Sequence, residues 1–86
     1  MISVCVATYN GERFIREQID SILRQLSSDD EIIVSDDGST DDTISIINSI
    51  DDKRIRIIEG PRKHSPTQNF ECAMKEAKGD YIFLAD

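Results

Sequence analysis

Apolar residues recur along this chain with two spacings, one typical of strands and the other of helices. Residues 2–8 (ISVCVAT) are a continuous apolar run whose side chains alternate between two faces. This pattern predicts a strand that is buried on both faces. From Glu12 onwards the apolar residues fall three or four positions apart, which predicts a helix. Its stripe is formed by Ile15, Ile19, Ile22 and Leu26, with Phe14 and Leu23 widening it.

Three more apolar segments predict strands at 31–35 (EIIVS), 55–60 (IRIIEG) and 81–85 (YIFLA), with helical patterns between them. The order β-α-β-α-β-α-β predicts an α/β fold of the Rossmann-like type. Such a fold has three layers, with a mainly parallel sheet between two layers of helices. The fourth strand looks buried, yet almost nothing follows to cover it. We therefore expect a single domain, 1–86, that is the front part of a longer protein, and its exposed sheet edge would permit self-association.

Residue types at the helix ends predict where two of the helices begin and end. Ser39, followed three positions later by Asp42, resembles a capping box that opens the second helix. For the third helix, Ser65 is the predicted N-cap and Pro66 the first helical residue. Gly79 is predicted to close that helix.

Composition and charge restrict the classes of function. The chain has 86 residues, 38% of them apolar, which is enough for one small core. Seventeen acidic against ten basic residues give a net charge of −7, which argues against nucleic acid or an anionic membrane surface as a partner. Because membrane-span and signal-peptide patterns are missing, we expect a cytoplasmic protein, at most peripheral at the inner face of the membrane. Cys5 and Cys72 have no metal or redox spacing and are interpreted as buried, reduced thiols.

Polar residues collect where the predicted strands end, and ligands of parallel α/β sheets bind beyond the carboxyl ends of the strands. Asp36 and Asp37 directly follow the second strand. The segment DDGSTDDT lacks the spacing of a calcium-binding loop, and no glycine-rich phosphate loop occurs. Carboxylates can accept hydrogen bonds from a base or a ribose, or hold a cation that binds phosphate. The residues therefore indicate a nucleotide-plus-metal site, while residues 39–42 are interpreted as a turn and helix start.

Three segments carry a resemblance to a known family: VCVATYNGERFIREQIDSIL, IIVSDDGSTDDT and NFECAMKEAKGDYIFLAD. In this order they resemble successive blocks of the family 2 glycosyltransferases, which are nucleotide-diphospho-sugar transferases of the GT-A fold. The resemblance implies that the chain is the amino-terminal, nucleotide-binding half of that fold. It further implies an inverting parent enzyme that transfers a sugar from a nucleotide diphosphate donor, usually UDP, to a glycan or lipid-linked acceptor in bacterial cell-surface polysaccharide biosynthesis.

The resemblance also implies roles for individual residues. The ring of Tyr9 would pack on the base, although an aromatic residue at a helix start with its hydroxyl in water remains the alternative. Asp37 would hydrogen-bond the base, with Asp36 either assisting or buttressing the turn, and Asn10 either contacts the nucleotide or only shapes its own turn. Gly38 would supply backbone freedom. The implied nucleotide-binding residues are Ala7, Thr8, Tyr9, Asn10, Asp36, Asp37 and Asp86.

Asp86 matches the first acid of the D-x-D-type motif, whose acids hold the ribose and an Mg²⁺ or Mn²⁺ ion that bridges the diphosphate. The second acid and the general base are not in this chain, so the resemblance implies a fragment that binds nucleotide and carries no catalytic residue. In the segment KHSPT the chain departs from relatives that have glycine there. His64 is therefore interpreted as a solvated loop residue, and Arg62 and Lys63 either approach the diphosphate or are solubilising charges.

The same residues bear on three other classes of protein. A receiver-like signalling domain also binds Mg²⁺ at strand ends, but it needs its acid pair after the first strand, where this chain has TYNGE. A nucleotidyltransferase would need a glycine-rich, basic phosphate loop at the same place. A non-catalytic interaction module, recognised through the exposed sheet edge, is the third alternative.

Overall fold

The chain folds into a parallel sheet that lies between two layers of helices, as a computed structural model describing residues 1–85 shows. In chain order the elements are β1 (Ile2–Thr8), α1 (Ile15–Leu23), β2 (Glu31–Asp36), α2 (Thr43–Ile50), β3 (Ile55–Glu59), α3 (Pro66–Glu76) and β4 (Tyr81–Ala85). Within these residues the sheet has four strands in the order β3-β2-β1-β4, and every neighbouring pair is parallel. The predicted α/β fold and the element order are confirmed.

The two central strands, β1 and β2, are buried on both faces, as the unbroken apolar pattern predicted. On one face α1 and α2 cover the larger core, which contains Val4, Val6, Ile15, Ile19, Ile32, Val34 and Ile47. On the other face α3 covers a smaller core of Cys5, Ile33 and Ala73. Adjacent residues of a strand point to opposite faces, so each central strand contributes to both cores.

Helix α1 is shorter than the apolar stripe predicted. A turn precedes it, in which the carbonyl oxygen of Gly11 accepts hydrogen bonds from the backbone N–H groups of Phe14 and Ile15. Phe14 is 69% exposed and does not belong to the buried stripe. Leu26 lies beyond the last helical residue, although it still packs partly buried against the core. The pattern of apolar residues thus located the buried face but not the helix ends.

The predicted capping box of α2 is wrong. In the described chain Asp42 occupies the N-cap position but makes no side-chain capping bond. Asp41 takes that role, because its Oδ1 accepts hydrogen bonds from the backbone N–H of Thr43 (2.9 Å) and from Thr43 Oγ1 (2.5 Å). The hydroxyl of Ser39 is instead engaged by Asp36 and Asn10.

Helix α3 begins as predicted and ends differently. Ser65 is its N-cap, with Oγ accepting from the backbone N–H of Gln68 at 3.3 Å, and Pro66 is the first helical residue. The helix ends at Glu76, before Gly79. A Cβ atom at Gly79 would lie 2.7 Å from the backbone nitrogen of Ser3. This glycine therefore permits close approach to β1 and does not close the helix.

Strand β4 pairs with β1 along one edge, but within residues 1–85 its side chains are largely uncovered. Tyr81 is 68%, Ile82 45%, Phe83 56% and Leu84 53% exposed. The apolar pattern of β4 resembles that of a buried strand, but its side chains are exposed among the described residues, and the predicted exposed sheet edge agrees with the structure.

The two cysteines are free thiols, as predicted, but only one is buried. Cys5 is completely buried, whereas Cys72 is half-buried. Burial raises the pKa of the Cys5 thiol, and the nearby negative charge of Glu31 adds to this effect. Among the described residues, no helix has both the length and the apolar character needed to cross a bilayer.

Candidate functional site

The carboxyl ends of three strands lie side by side and are tied together by backbone hydrogen bonds. In the sheet register Thr8 is the partner of Asp36, and Asp36 is the partner of Glu59. Just beyond the strands, the N–H of Asp37 donates to the Thr8 carbonyl at 2.9 Å, and the N–H of Gly60 donates to the Asp36 carbonyl at 2.7 Å. The turns that follow β1, β2 and β3 are therefore fixed relative to one another.

Asp36 buttresses the turn after β2. One carboxylate oxygen, Oδ2, accepts from the backbone N–H groups of Gly38 and Ser39, at 3.2 and 2.9 Å, and Oδ1 accepts from the Ser39 hydroxyl at 2.6 Å. Gly38 has a φ of +88°, a conformation that costs glycine little and other residues more. Of the two roles weighed for Asp36, these contacts favour the structural one.

Asp37 has a structural task as well, in holding the loop between β3 and α3. Its side chain is almost completely buried, with 3% of its surface exposed. Oδ1 accepts a short hydrogen bond from the backbone N–H of Arg62, and Oδ2 accepts from the backbone N–H of His64 at 2.8 Å. The acid that follows β2 thus anchors a loop more than twenty residues further along the chain.

Asn10 joins the turn after β1 to the acidic turn after β2. Its Oδ1 accepts from the backbone N–H groups of Thr40 (2.8 Å) and Asp41 (3.3 Å), and its own N–H donates to Ser39 Oγ at 2.8 Å. Its φ of +50° lies in the left-handed region, where asparagine is tolerated better than most residues. These contacts favour the turn-shaping role that the sequence left open.

The later acids of the same turn are used at the start of α2. Desolvation opposes ionisation of Asp41, but the hydrogen bonds that it accepts from Thr43 and from the N–H of Glu12 outweigh it, so the pKa of this carboxyl lies below its ordinary value. The carboxylate of Glu12 in turn accepts from the N–H of Asp42 at 3.1 Å. The acidic turn is therefore mostly a set of local acceptors, as predicted for residues 39–42.

A cavity of about 350 Å³ opens at the carboxyl end of β1, on the side of α3. It is lined by Ala7, Thr8, Tyr9, Asp37, His64, Ser65, Pro66 and Asn69. The rings of Tyr9 and His64 meet edge to face, with centroids 4.8 Å apart and an interplanar angle of 76°. The cavity thus combines an aromatic surface, a carboxylate and strand-end backbone.

Four of the residues implied by the resemblance meet in this cavity, namely Ala7, Thr8, Tyr9 and Asp37. Asn10 lies in the adjoining turn and Asp36 at the end of β2, with their side-chain oxygens engaged by loop hydrogen bonds. The predicted residue Asp86 lies outside the described residues. Because the order β3-β2-β1-β4 reverses beside β1, the cavity also lies where ligands of such sheets ordinarily bind.

Two residues of the cavity were missed by the sequence interpretation. His64 is exposed, as the sequence predicts for a solvated loop residue, but its ring also lies against that of Tyr9. Asn69, in the first turn of α3, is 3% exposed, and its Nδ2 donates to the Thr8 carbonyl at 3.4 Å. Among residues 1–85 nothing donates to its Oδ1, which faces Gly60 so closely that a Cβ there would lie 2.4 Å away. For Asn69, the sequence offered one signal of burial, namely an amide side chain in the first turn of a helix beside the apolar Phe70.

A metal site is not formed by the described residues alone. Within residues 1–85 no three His, Cys, Asp or Glu side chains are grouped so that they could hold an ion. The acid predicted to bind Mg²⁺ or Mn²⁺ is Asp86, which lies outside the described residues.

Comparison with known proteins identifies the family. The model of Glycosyl transferase family 2 matches residues 3–86. The chain belongs to this family. Membership of Glycosyl transferase family 2 favours the glycosyltransferase hypothesis over the receiver-like and nucleotidyltransferase alternatives.

Curated relatives of this family 2 chain are bacterial glycosyltransferases. It is 41% identical over 86 residues to the UDP-Glc:alpha-D-GlcNAc-diphosphoundecaprenol beta-1,3-glucosyltransferase WfaP of Escherichia coli, covering all of this chain and 34% of that protein. It is 36% identical over 88 residues to the GalNAc(5)-diNAcBac-PP-undecaprenol beta-1,3-glucosyltransferase of Campylobacter jejuni, covering 99% of this chain and 28% of the relative. The chain therefore spans about a third of the length of such relatives.

Solved structures agree with the family and with the GT-A type of fold. The structure of S. aureus TarS 1–349 in complex with UDP-GlcNAc superposes with a TM-score of 0.82 at 30% identity, covering 99% of this family 2 chain and 26% of that chain. The mannosyltransferase PcManGT of Pyrobaculum calidifontis, in complex with GDP-Man and Mn²⁺, gives a TM-score of 0.82 at 26% identity, covering 94% and 25%. The predicted amino-terminal, Rossmann-like half of a GT-A fold is thereby confirmed.

Proposed function

We propose that this chain is the donor-nucleotide-binding part of a glycosyltransferase that transfers a sugar from a UDP-linked donor to a glycan or lipid-linked acceptor in bacterial cell-surface polysaccharide assembly. The observation that carries the proposal is the cavity at the end of β1, in which Tyr9 and Asp37 lie together. The names of the WfaP and Campylobacter relatives, which include undecaprenol-linked acceptors, support the acceptor class. A lipid-linked acceptor would bring the full-length protein to the inner face of the membrane.

Recognition of the base would rest on three groups. The ring of Tyr9 is 45% exposed and offers a face on which a base can stack. Asp37 accepts one backbone hydrogen bond at each oxygen, and since a carboxylate has about four acceptor positions, it can still accept an N–H from the base. The backbone of Ala7 and Thr8 would border the base at the strand end.

Asn10 and Asp36 would act on the nucleotide through the turns that they hold. Both side chains have their oxygens engaged by loop amides or hydroxyls. In this proposal they keep the turns after β1 and β2 in the positions that frame the cavity. Substituting either of them would then weaken nucleotide binding together with local stability.

The cation belongs to the same proposal through Asp86. A carboxylate at the end of β4 is a suitable ligand for Mg²⁺ or Mn²⁺, and the PcManGT complex contains Mn²⁺ beside its sugar nucleotide. When bound, the ion would neutralise charge on the leaving diphosphate. With one acid of its own and no general base, this chain would bind the donor without completing the inverting transfer.

Calorimetric titration of the purified chain with UDP, with and without Mn²⁺, tests this proposal, with ADP and GDP as controls. We expect UDP-selective binding that Tyr9→Ala weakens about tenfold, because base stacking on an aromatic side chain contributes substantially to affinity. Glu59→Ala is the matched control, since Glu59 lies at the same sheet edge but is not part of the cavity lining.

Two results would contradict the proposal. A folded chain that binds none of the three nucleotides would remove the donor-site assignment. Equal weakening by Tyr9→Ala and Glu59→Ala would show that the cavity is not where the nucleotide binds.

A further inference from the structure

We infer that His64 forms a second wall of the nucleobase site and contacts the base directly, together with Tyr9 and Asp37. The inference rests on the proposed function and adds to it a residue that determines base affinity and selectivity. His64 comes from a loop after β3, whereas Tyr9 and Asp37 follow β1 and β2. The base would therefore be held between three strand ends and not two.

The position of His64 is imposed by the backbone of its loop. Arg62 and His64 have φ values of +59° and +52°, in the left-handed region that non-glycine residues seldom adopt. Both of their backbone N–H groups donate to the carboxylate of Asp37. The buried acid thus holds both left-handed residues in place and determines where the His64 side chain begins.

Both ends of the loop are fixed as well. At its start Gly60 fits between Asn69 and the strand end of β2, where an added Cβ would lie 2.4 Å from Asn69 Oδ1 and 3.1 Å from the Asp36 carbonyl oxygen. At its end Ser65 caps α3. With both ends and the middle tied, the backbone that carries the exposed His64 side chain is fixed, and its ring lies beside that of Tyr9.

The two rings suit a planar heterocycle. They stand at 76° with centroids 4.8 Å apart, so a flat ligand that stacks on one ring presents its edge to the other. Uracil carries an N–H donor between two carbonyl acceptors. Asp37 can accept from that N–H, while a ring N–H of His64 can donate to a carbonyl, and this pairing of donor and acceptor fits a pyrimidine of the uracil type.

Exposed charges of the loop do not account for the same contact. Lys63 lies between the two left-handed residues, is exposed, and is not among the residues lining the cavity. A lysine acts on phosphate as a point charge, and the side chain of Lys63 does not line the base site. It therefore provides a neighbour whose removal leaves the walls of the base site intact.

Titration with uridine, which has no phosphate, separates base contacts from phosphate contacts. We would compare the unmodified chain with His64→Asn, His64→Phe and Lys63→Ala, using uridine and UDP as probes and circular dichroism to verify folding. Asparagine accepts a left-handed backbone, so His64→Asn removes the ring while retaining the N–H that Asp37 binds. Phenylalanine restores a ring without hydrogen-bonding nitrogens.

We expect His64→Asn to weaken uridine binding at least about fivefold, as loss of an aromatic contact to a base does, and His64→Phe to recover part of the loss. Lys63→Ala should leave uridine binding unchanged. Uridine binding by His64→Asn at the affinity of the unmodified chain would overturn the inference while leaving the proposed function intact. Binding of neither uridine nor UDP by the folded, unmodified chain would overturn both.

Discussion

Asp37 shows how one buried side chain can serve the fold and the site together. Its carboxylate is the acceptor for two loop amides, and the cavity opens beside it. The sequence indicated Asp37 as a site residue because it directly follows a buried strand. The loop contacts could not be predicted, since they join residues that are 25 and 27 positions apart through backbone conformations that no residue type dictates.

Asp37→Ala should therefore destabilise the chain as well as abolish UDP binding. The substitution leaves two backbone N–H groups without their acceptor, and an unsatisfied buried donor costs about 1–3 kcal/mol. We expect the free energy of unfolding to fall by about 2 kcal/mol, measured by urea titration. Glu59→Ala, at the exposed end of the neighbouring strand, should change it by less than about 0.5 kcal/mol. An unchanged midpoint for Asp37→Ala would contradict the anchoring role.

Asp41 and Asp42 are adjacent acids with different tasks, and the sequence could not separate them. Asp41→Ala should lower the urea midpoint more than Asp42→Ala, because Asp41 bonds both the N–H and the hydroxyl of Thr43. Thr43 is itself completely buried, so removing Asp41 leaves buried polar groups of Thr43 without their hydrogen-bond acceptor. A larger effect at Asp42 would restore the capping box that the Ser39–Asp42 spacing suggested.

Among the cavity residues, sequence reasoning predicted those at strand ends. Thr8 and Tyr9 stand at the end of β1, and strand ends in a parallel sheet converge on one edge, while Ala7 was implied by the family resemblance. His64 and Asn69 escaped because their places depend on a loop with two left-handed residues and on a contact spanning 61 positions. Residues brought in by tertiary contacts of this kind leave no local pattern.

At the scale of the elements, the carboxyl end of α1 is held by a residue from the loop before β3. Arg54 Nη1 donates to the carbonyl oxygens of Leu23, the last residue of α1, and of Leu26, just beyond it, at 3.2 and 3.1 Å. The last carbonyls of a helix have no N–H partner within the helix. Asp52 orients the guanidinium through bonds from Nε and Nη2. The apolar spacing of α1 predicted its buried face. It could not predict that Arg54, about thirty residues further along the chain, caps the end of the helix.

The pKa of Asp52 is lowered to about 2 from 3.8, mainly by the hydrogen bonds that Arg54 donates. A carboxylate whose pKa is depressed on folding stabilises the folded state above its unfolded pKa, and this contribution is lost as pH falls through the folded pKa. Asp52→Asn should therefore be less stable than the unmodified chain near neutral pH, and the difference should shrink between pH 4 and pH 2. Urea unfolding at a series of pH values measures this, and a difference that stays constant down to pH 2 would contradict it.

At the scale of the whole molecule, the fold was predictable because alternating strand and helix patterns admit few arrangements. The exposure of the β4 side chains was not visible in their apolar pattern, because an apolar strand looks the same in sequence whether it is covered or not. Its four exposed apolar side chains, at positions 81–84, belong to an edge strand, and such edges promote association.

The 86-residue chain should accordingly self-associate through β4. We expect Ile82→Lys combined with Leu84→Lys to shift the chain toward monomer, because charges on an edge strand oppose pairing. Phe14→Lys is the matched control, since Phe14 is 69% exposed but lies outside the sheet. Sedimentation velocity over a concentration series measures the oligomeric state. An unmodified chain that is monomeric at every concentration would rule the association out.

The central place of β1 in the order β3-β2-β1-β4 has a consequence for synthesis in the cell. β1 is made before both of its neighbours, and β4, which covers its second edge, begins at residue 81. At a synthesis rate of about 5–20 residues per second, roughly 4–15 seconds pass between the synthesis of β1 and that of β4. Throughout this time the edge of β1 that pairs with β4 has no partner strand. During this interval the strand that will border the cavity has one unpaired edge, and such an edge is a template for pairing with other chains.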